Sequence, residues 1–185
     1  MHKQLLLSTL LFMVPGVPLL IFASPERRAH YKMKQFVNTS DAIWTYKTTH
    51  NGGTTCEYDQ MESITLIDIK YKRRFLLRQR RCEIPLRGQF YHFNPEQMTV
   101  TSRDMQQLCT EILRFLAGDL SCAVVKVKSI TERGKSRYDL RVRNSSLVRA
   151  KPQAECTRHF RRAVKGGMAY HVYSSRCQRV FKTFK

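Results

Sequence analysis

The heptapeptide Arg137-Tyr138-Asp139-Leu140-Arg141-Val142-Arg143 alternates without a break between charged and apolar residues. Side chains on a strand point in turn to its two faces, so this period of two reads as a half-buried β-strand. Working outward, the period recurs. Ala123, Val125 and Val127 alternate with Val124, Lys126 and Lys128, and Ile67, Ile69 and Tyr71 alternate with Asp68, Lys70 and Lys72. Met168, Tyr170 and Val172 give a late strand. Between these runs lie turn signals at Asn51-Gly52-Gly53, Arg87-Gly88, Ala117-Gly118-Asp119, Arg133-Gly134-Lys135 and Gly166-Gly167. Short strands joined by glycine-bearing turns predict a mainly β antiparallel sandwich or up-and-down barrel.

Two stretches read as helices flanking that sheet. Met105, Leu108, Cys109, Ile112 and Leu116 have helical spacing, with Ser102 as N-cap and Gly118 as stop; residues 155–164 form the second.

The chain has 185 residues, enough for one domain, and its 42% hydrophobic and 25% charged shares exclude wholesale disorder. Lys and Arg number 33 against 14 Asp and Glu, a net charge of +19. That balance points to polyanions or acidic surfaces as partners and says nothing of fold. The basic start, the apolar run at 5–22 and the small Ala23 predict a signal peptide over 1–23, followed by a flexible, basic arm at 24–38 and one folded domain at 39–185. The mature chain is therefore expected to be secreted, with no membrane segment. The sequons at Asn38 and Asn144 fit that compartment as expected glycosylation sites. So do the six cysteines, Cys56, Cys82, Cys109, Cys122, Cys156 and Cys177, whose even number implies a disulfide framework of unspecified pairing. No CxxC, HxxxH or HExxH occurs, so no metal site is expected. The chain also lacks a GxSxG elbow, a phosphate loop and a cysteine-nucleophile signature, which argues for a binding protein without cofactor rather than an enzyme.

The densest basic run is Lys70-Tyr71-Lys72-Arg73-Arg74 with Arg78-Gln79-Arg80-Arg81. Arg73, Arg74, Arg80 and Arg81 read as a polyanion site for heparin-like chains, or as the solvated face of a strand. Phe90, Tyr91, Phe93, Tyr170 and Tyr173 are candidates for lining a cavity or filling a barrel core.

The order Trp44, Cys56-Glu57-Tyr58, Tyr71-Lys72-Arg73-Arg74-Phe75, Leu120-Ser121-Cys122-Ala123-Val124-Val125, Tyr138-Asp139-Leu140-Arg141-Val142, Cys156-Thr157-Arg158-His159-Phe160 and Tyr173-Ser174-Ser175-Arg176-Cys177-Gln178 resembles the tick salivary lipocalins, the histamine-binding protein family. The resemblance runs from Trp44 to Gln178. It implies an eight-stranded antiparallel lipocalin-like barrel that sequesters a small host inflammatory mediator; with the helices read above, the expectation is such a barrel with one or two flanking helices, acting as a monomer. The implied ligands are histamine, serotonin or a lipid mediator such as a leukotriene. The other reading is a basic surface binder of polyanions or of a host protein. The family pairing, carried over, joins Cys56 to Cys177 and Cys122 to Cys156, and leaves Cys82 and Cys109 as a third bridge or two free thiols.

The resemblance also places Asp139, Arg141, Trp44 and Tyr58 as ligand contacts. The family's amine signature is altered, however: Ala123 stands where an acid is expected, and Arg141 where an aromatic is expected. An amine cation needs a carboxylate and an aromatic face. A guanidinium there favours a carboxylate ligand over histamine. The family register turns Asp139 and Arg141 into the barrel. Alternation alone would turn Tyr138, Leu140 and Val142 inward and leave Asp139 and Arg141 as a surface pair.

Overall fold

The computed structural model describes residues 32–131, 135–147 and 151–182. The expected signal peptide, residues 24–31 of the arm and the Arg133-Gly134 part of one turn lie outside the described residues. Eight strands, β1 (Ile43–Thr48), β2 (Thr54–Ile64), β3 (Asp68–Leu77), β4 (Arg80–Phe90), β5 (Gln97–Ser102), β6 (Gln107–Leu116), β7 (Cys122–Ser129) and β8 (Ser136–Arg143), follow one another up and down. Every neighbouring pair is antiparallel, and β1 closes the ring by pairing with both β8 and β2, at Trp44↔Val142 and Trp44↔Tyr58. Closure leaves no free edge in the barrel. A short β9 (Tyr170–His171) adds to the far half of β1, opposite Lys47 and Thr48.

Alternation gives this barrel an inner and an outer face, and both are buried over much of its wall. Inside, Ile69, Tyr71, Leu86, Met98, Val100, Leu113, Val125 and Val127 pack together. Gly88 lies within β4, not at a turn, because a Cβ there would collide with the Met98 side chain that fills the interior. Outside, helix α2 (Ala154–Val164) lays Cys156 and Phe160 on Phe115, Cys122, Val124, Leu140 and Val142. The run Ala123-Val124-Val125 is continuously apolar because β7 has a core on each side. A second outer cluster gathers Trp44, Cys56, Tyr58, Tyr173 and Cys177 under helix α3 (Ser175–Lys182). One disulfide sits in each outer cluster, Cys122–Cys156 under α2 and Cys56–Cys177 under α3. They staple the C-terminal segment to the wall.

Several expectations are corrected. The stretch 107–116 is strand β6, not a helix. Met105 is 60% exposed in the preceding turn, and Ser102 ends β5 instead of capping a helix. A register shift between Leu113 and Phe115 moves Leu116 to the inner face, and an acid, Glu111, occupies an inward position. Together these erase the period of two and leave an accidental helical spacing. Residues 33–37 of the expected arm form helix α1 (Met33–Val37), with Met33 and Phe36 fully buried across one end of the barrel. Arg143 on β8 donates to the Gln35 and Phe36 carbonyls and latches this plug. Cys82 and Cys109 are free thiols, not a third bridge. Cys82 lies on the β3–β4 hairpin opposite Phe75, while Cys109 pairs with Val100 in the wall.

Candidate functional site

The inner face of β8 carries Arg137, Asp139, Arg141 and Arg143, running from the β1–β2 loop end of the barrel to the α1 end. Asp139 is 0% exposed and Arg141 2%. Both therefore point into the barrel, as the resemblance implies, and Tyr138, Leu140 and Val142 face outward beneath α2. The surface-pair reading of Asp139 and Arg141 is overturned.

Arg141 does not stand alone. Glu111 on β6 accepts both prongs of its guanidinium, Nη1 at 2.6 Å and Nη2 at 2.7 Å. Arg73 on β3 reaches the same carboxylate at 3.2 Å and grips Asp59 on β2 through Nε at 2.7 Å and Nη2 at 2.8 Å. Arg141 also approaches Asp139 at 3.4 Å, and Asp139 accepts Thr48 Oγ1 at 2.7 Å and Arg137 Nε at 3.3 Å. Three carboxylates and three guanidiniums thus cross the barrel as one network. Burial alone would raise the Glu111 carboxyl, but the Arg141 and Arg73 charges, with their hydrogen bonds, hold it down to about 2. Burial works against the charged form of Arg141, and Glu111 outweighs it, so its pKa is raised.

This network separates two cavities. At the α1 end a space of about 20 Å³ is lined by Phe36, Val37, Ile43, Met61, Ile69, Tyr71, Met98, Asp59 and Arg141, among others. Tyr71 and Arg141 each carry a buried donor, the hydroxyl and Nε, that has no acceptor among the described residues. The space is large enough for one water-sized oxygen. Burial, first of all, pushes the Tyr71 phenol well above its ordinary value, so it remains a neutral donor. At the opposite end a cavity of about 170 Å³ is polar, lined by Thr45, Thr48, His50, Glu57, Arg137 and Asp139, with Val172 on its wall. Thr45 Oγ1 donates to Glu57 at 2.7 Å.

Of the residues expected at the site, the barrel brings together Asp139 and Arg141 and adds Arg73. Arg73 was expected on a polyanion-binding surface; it points inward because the register that buries Tyr71 also buries the residue two further on. Arg74 faces out and is engaged by Glu83 and Tyr58, while Arg80 and Arg81 are exposed on the hairpin. Trp44 and Tyr58 do not line either cavity. Their inward neighbours Ile43 and Asp59 do, whereas Trp44 and Tyr58 stack outside, ring centroids 4.7 Å apart, with Tyr173 at 5.0 Å from Trp44. Phe93 is 92% exposed and Tyr91 bonds Thr99 at the rim, so of the named aromatics only Phe90 packs against the inner core. Asn38 is exposed, while the Asn144 carboxamide oxygen accepts from Trp44 Nε1 and Gln178 Nε2. Glu111, Asp59 and Tyr71 were missed as site residues. An acid flanked by apolar residues at 109 and 113 was the available signal for Glu111.

No group of three or more metal-ligating side chains occurs among the described residues. No family model and no curated protein sequence matches the chain. Solved structures do match it. A serotonin complex of AM182 superposes with a TM-score of 0.57 at 18% identity, covering 75% of this chain and 85% of that one. Japanin from Rhipicephalus appendiculatus, bound to cholesterol, gives 0.55 at 8% identity over 75% and 96%. Lobster apocrustacyanin A1 gives 0.54 at 11% identity over 76% and 81%. The fold is that of the lipocalins. With β1 pairing at both edges of the strand series, an α1 plug at one end and α2 against the wall, this lipocalin barrel departs from a simple container chiefly in the charged network across its middle.

Proposed function

We propose that the protein is a secreted lipocalin of the tick salivary type that sequesters a small host mediator, one with an oxygen acceptor on an apolar body, as in a fatty-acid-like or leukotriene-like carboxylate. The observation that carries this reading is that Tyr71 and Arg141, two residues lining one otherwise largely apolar cavity, each keep a buried donor, Oη and Nε, without a partner among the described residues. Buried donors left without acceptors are costly, and a ligand oxygen placed between them removes that cost. The ligand's body takes the volume that α1 fills with Phe36 and Met33, so binding displaces the plug. Similar barrels holding serotonin and cholesterol support a small-molecule role. A protonated amine meets carboxylates already neutralised by Arg73, Arg141 and Arg137 in the middle of this barrel, which argues against histamine there.

Calorimetry with a leukotriene-like carboxylate and with histamine tests the proposal. The carboxylate binds more tightly, and Tyr71→Phe weakens it by about tenfold, the loss of one hydrogen bond to a charged acceptor. Histamine binding more tightly than the carboxylate, or carboxylate affinity unmoved by Tyr71→Phe, overturns it.

A second reading places a biogenic amine in the polar cavity at the other end, where Glu57 accepts the Thr45 hydroxyl and, unlike Asp139 on the same wall, joins no ion pair with Arg73, Arg137 or Arg141. In that case Glu57→Gln abolishes amine binding and Tyr71→Phe leaves it unchanged.

A further inference from the structure

The densest basic run of the sequence, on the β3–β4 hairpin, is partly consumed by the fold: Arg73 is inside the barrel and Arg74 is held by Glu83. Arg78, Arg80 and Arg81 remain exposed there, and a second set of cations is presented to solvent elsewhere. On α2, Arg158, Arg161 and Arg162, with Lys165 as its C-cap, recur at i, i+3, i+4 and i+7 and are all exposed. That spacing puts them on one side of the helix, opposite Cys156 and Phe160, which bury the other side in the wall. At 1.5 Å per residue the stripe is about 10 Å long. Glu155 is the only acid from residue 151 to 182, and no ion pair joins the four cations to a carboxylate among the described residues. Arg161 and Arg162 sit in the last turn, where the helix dipole holds cations but does not neutralise them.

We infer that this stripe docks a sulfated glycosaminoglycan chain. The argument is charge complementarity with a linear partner: guanidiniums take sulfate and carboxylate oxygens in a bidentate manner, and a narrow row of them matches an extended polyanion. The stripe offers no apolar side chain for insertion into a bilayer, since the apolar side of α2 is already spent on the barrel. It offers no free aromatic for stacking bases either, His159 being stacked on Phe115 with centroids 3.7 Å apart. The site lies on the outer wall, away from both cavities, so a glycan and a small ligand can be held at once.

The test compares two variants that remove equal charge, R158Q/R161Q/R162Q on α2 and R78Q/R80Q/R81Q on the hairpin, on immobilised heparin across a sodium chloride series. The α2 variant elutes at clearly lower salt, and the slope of log affinity against log salt falls by about two, as expected from counterion release at three lost contacts. The hairpin variant stays near the unmodified protein. Equal losses in the two variants would reduce the effect to net charge, and a larger loss in the hairpin would move the site; either overturns the inference. Arginine-directed chemical footprinting of the unmodified protein gives a readout independent of folding in the variants. A heparin tetrasaccharide shields Arg158, Arg161 and Arg162 more than Arg78 and Arg80. Absence of that protection, or protection by phosphatidylserine vesicles and not by the tetrasaccharide, overturns the glycan assignment.

Discussion

The two faces of β8 are both buried and are built from opposite chemistry. Outward, Leu140 and Val142 pack under α2 as an ordinary apolar core; inward, Asp139 and Arg141 join a network of six charged groups. A helix roofing the outer wall makes "apolar" and "inside the barrel" different statements. Burial of the outer face drives folding, because each large apolar side chain removed from water contributes about 1.5–3 kcal/mol. The inner network adds little net stability, because the desolvation of its ions offsets their attraction. In the proposed function, the network sets what the cavity can hold.

The largest effect separating the faces comes from breaking the network on one side only. Glu111→Gln leaves Arg141 buried without its bidentate partner and should cost about 3–5 kcal/mol in urea unfolding. Replacing the pair together, Glu111→Leu with Arg141→Met, should cost far less, because no unpaired charge is left behind. Equal costs for the single and double substitutions would show that the network is a stabilising core in its own right.

Acid titration reads the same network. The Glu111 pKa is depressed in the fold, from 4.5 to about 2. Its contribution is therefore fully present above pH 4.5 and is lost as pH falls from there toward 2. Unfolding free energy measured across that window should decline, and the decline should be shallower in the double variant, which has no carboxyl at 111.

On the outer face, Leu140→Ala should cost about 2–5 kcal/mol through the cavity it opens against Phe160 and Cys156. It should leave carboxylate binding unchanged, since Leu140 lines neither cavity. A change in affinity with this variant would mean that the faces are coupled through β8.

Much of this arrangement was legible in the sequence, and the failures have physical causes. The alternation over 137–143 gave a strand, and the residues 155–164 gave α2, because there each period matches one element packed on one surface. The pairings Cys56–Cys177 and Cys122–Cys156 came from resemblance and are the ones the fold makes. Alternation could not say which face of β8 was inside, because a strand with two buried faces carries no label for the roofed one. Strand β6 was hidden by the inward Glu111 and the register shift after Leu113, and with it went the partner that neutralises Arg141. The β3–β4 turn was hidden because Arg78 and Gln79 adopt φ of 48° and 67° with no glycine to mark them. Helix α1 was lost in polar composition, since only Met33, Phe36 and Val37 of its five residues are buried.

The smallest effect concerns single hydrogen bonds, and it has opposite signs on the two faces. Outside, Trp44 Nε1 donates to Asn144 Oδ1 at 3.0 Å in a part-buried site. Asn144→Ala removes that bond and should cost about 1 kcal/mol. Inside, the Tyr71 hydroxyl already lacks an acceptor among the described residues. Tyr71→Phe deletes an unsatisfied polar atom while keeping the ring among Ile69, Met98 and the rest of the inner core, and should raise the stability of the ligand-free protein by up to about 1 kcal/mol. The same substitution weakens the carboxylate, so stability and affinity move in opposite directions. That is the signature of a group retained for a ligand and not for the fold. Chemical denaturation of the two variants side by side checks it. A loss of stability in Tyr71→Phe comparable to that in Asn144→Ala would mean that the hydroxyl is satisfied in solution without a ligand, by a fixed water in the space beside Arg141 Nε. The acceptor-headed ligand would then have to compete with that water for its place.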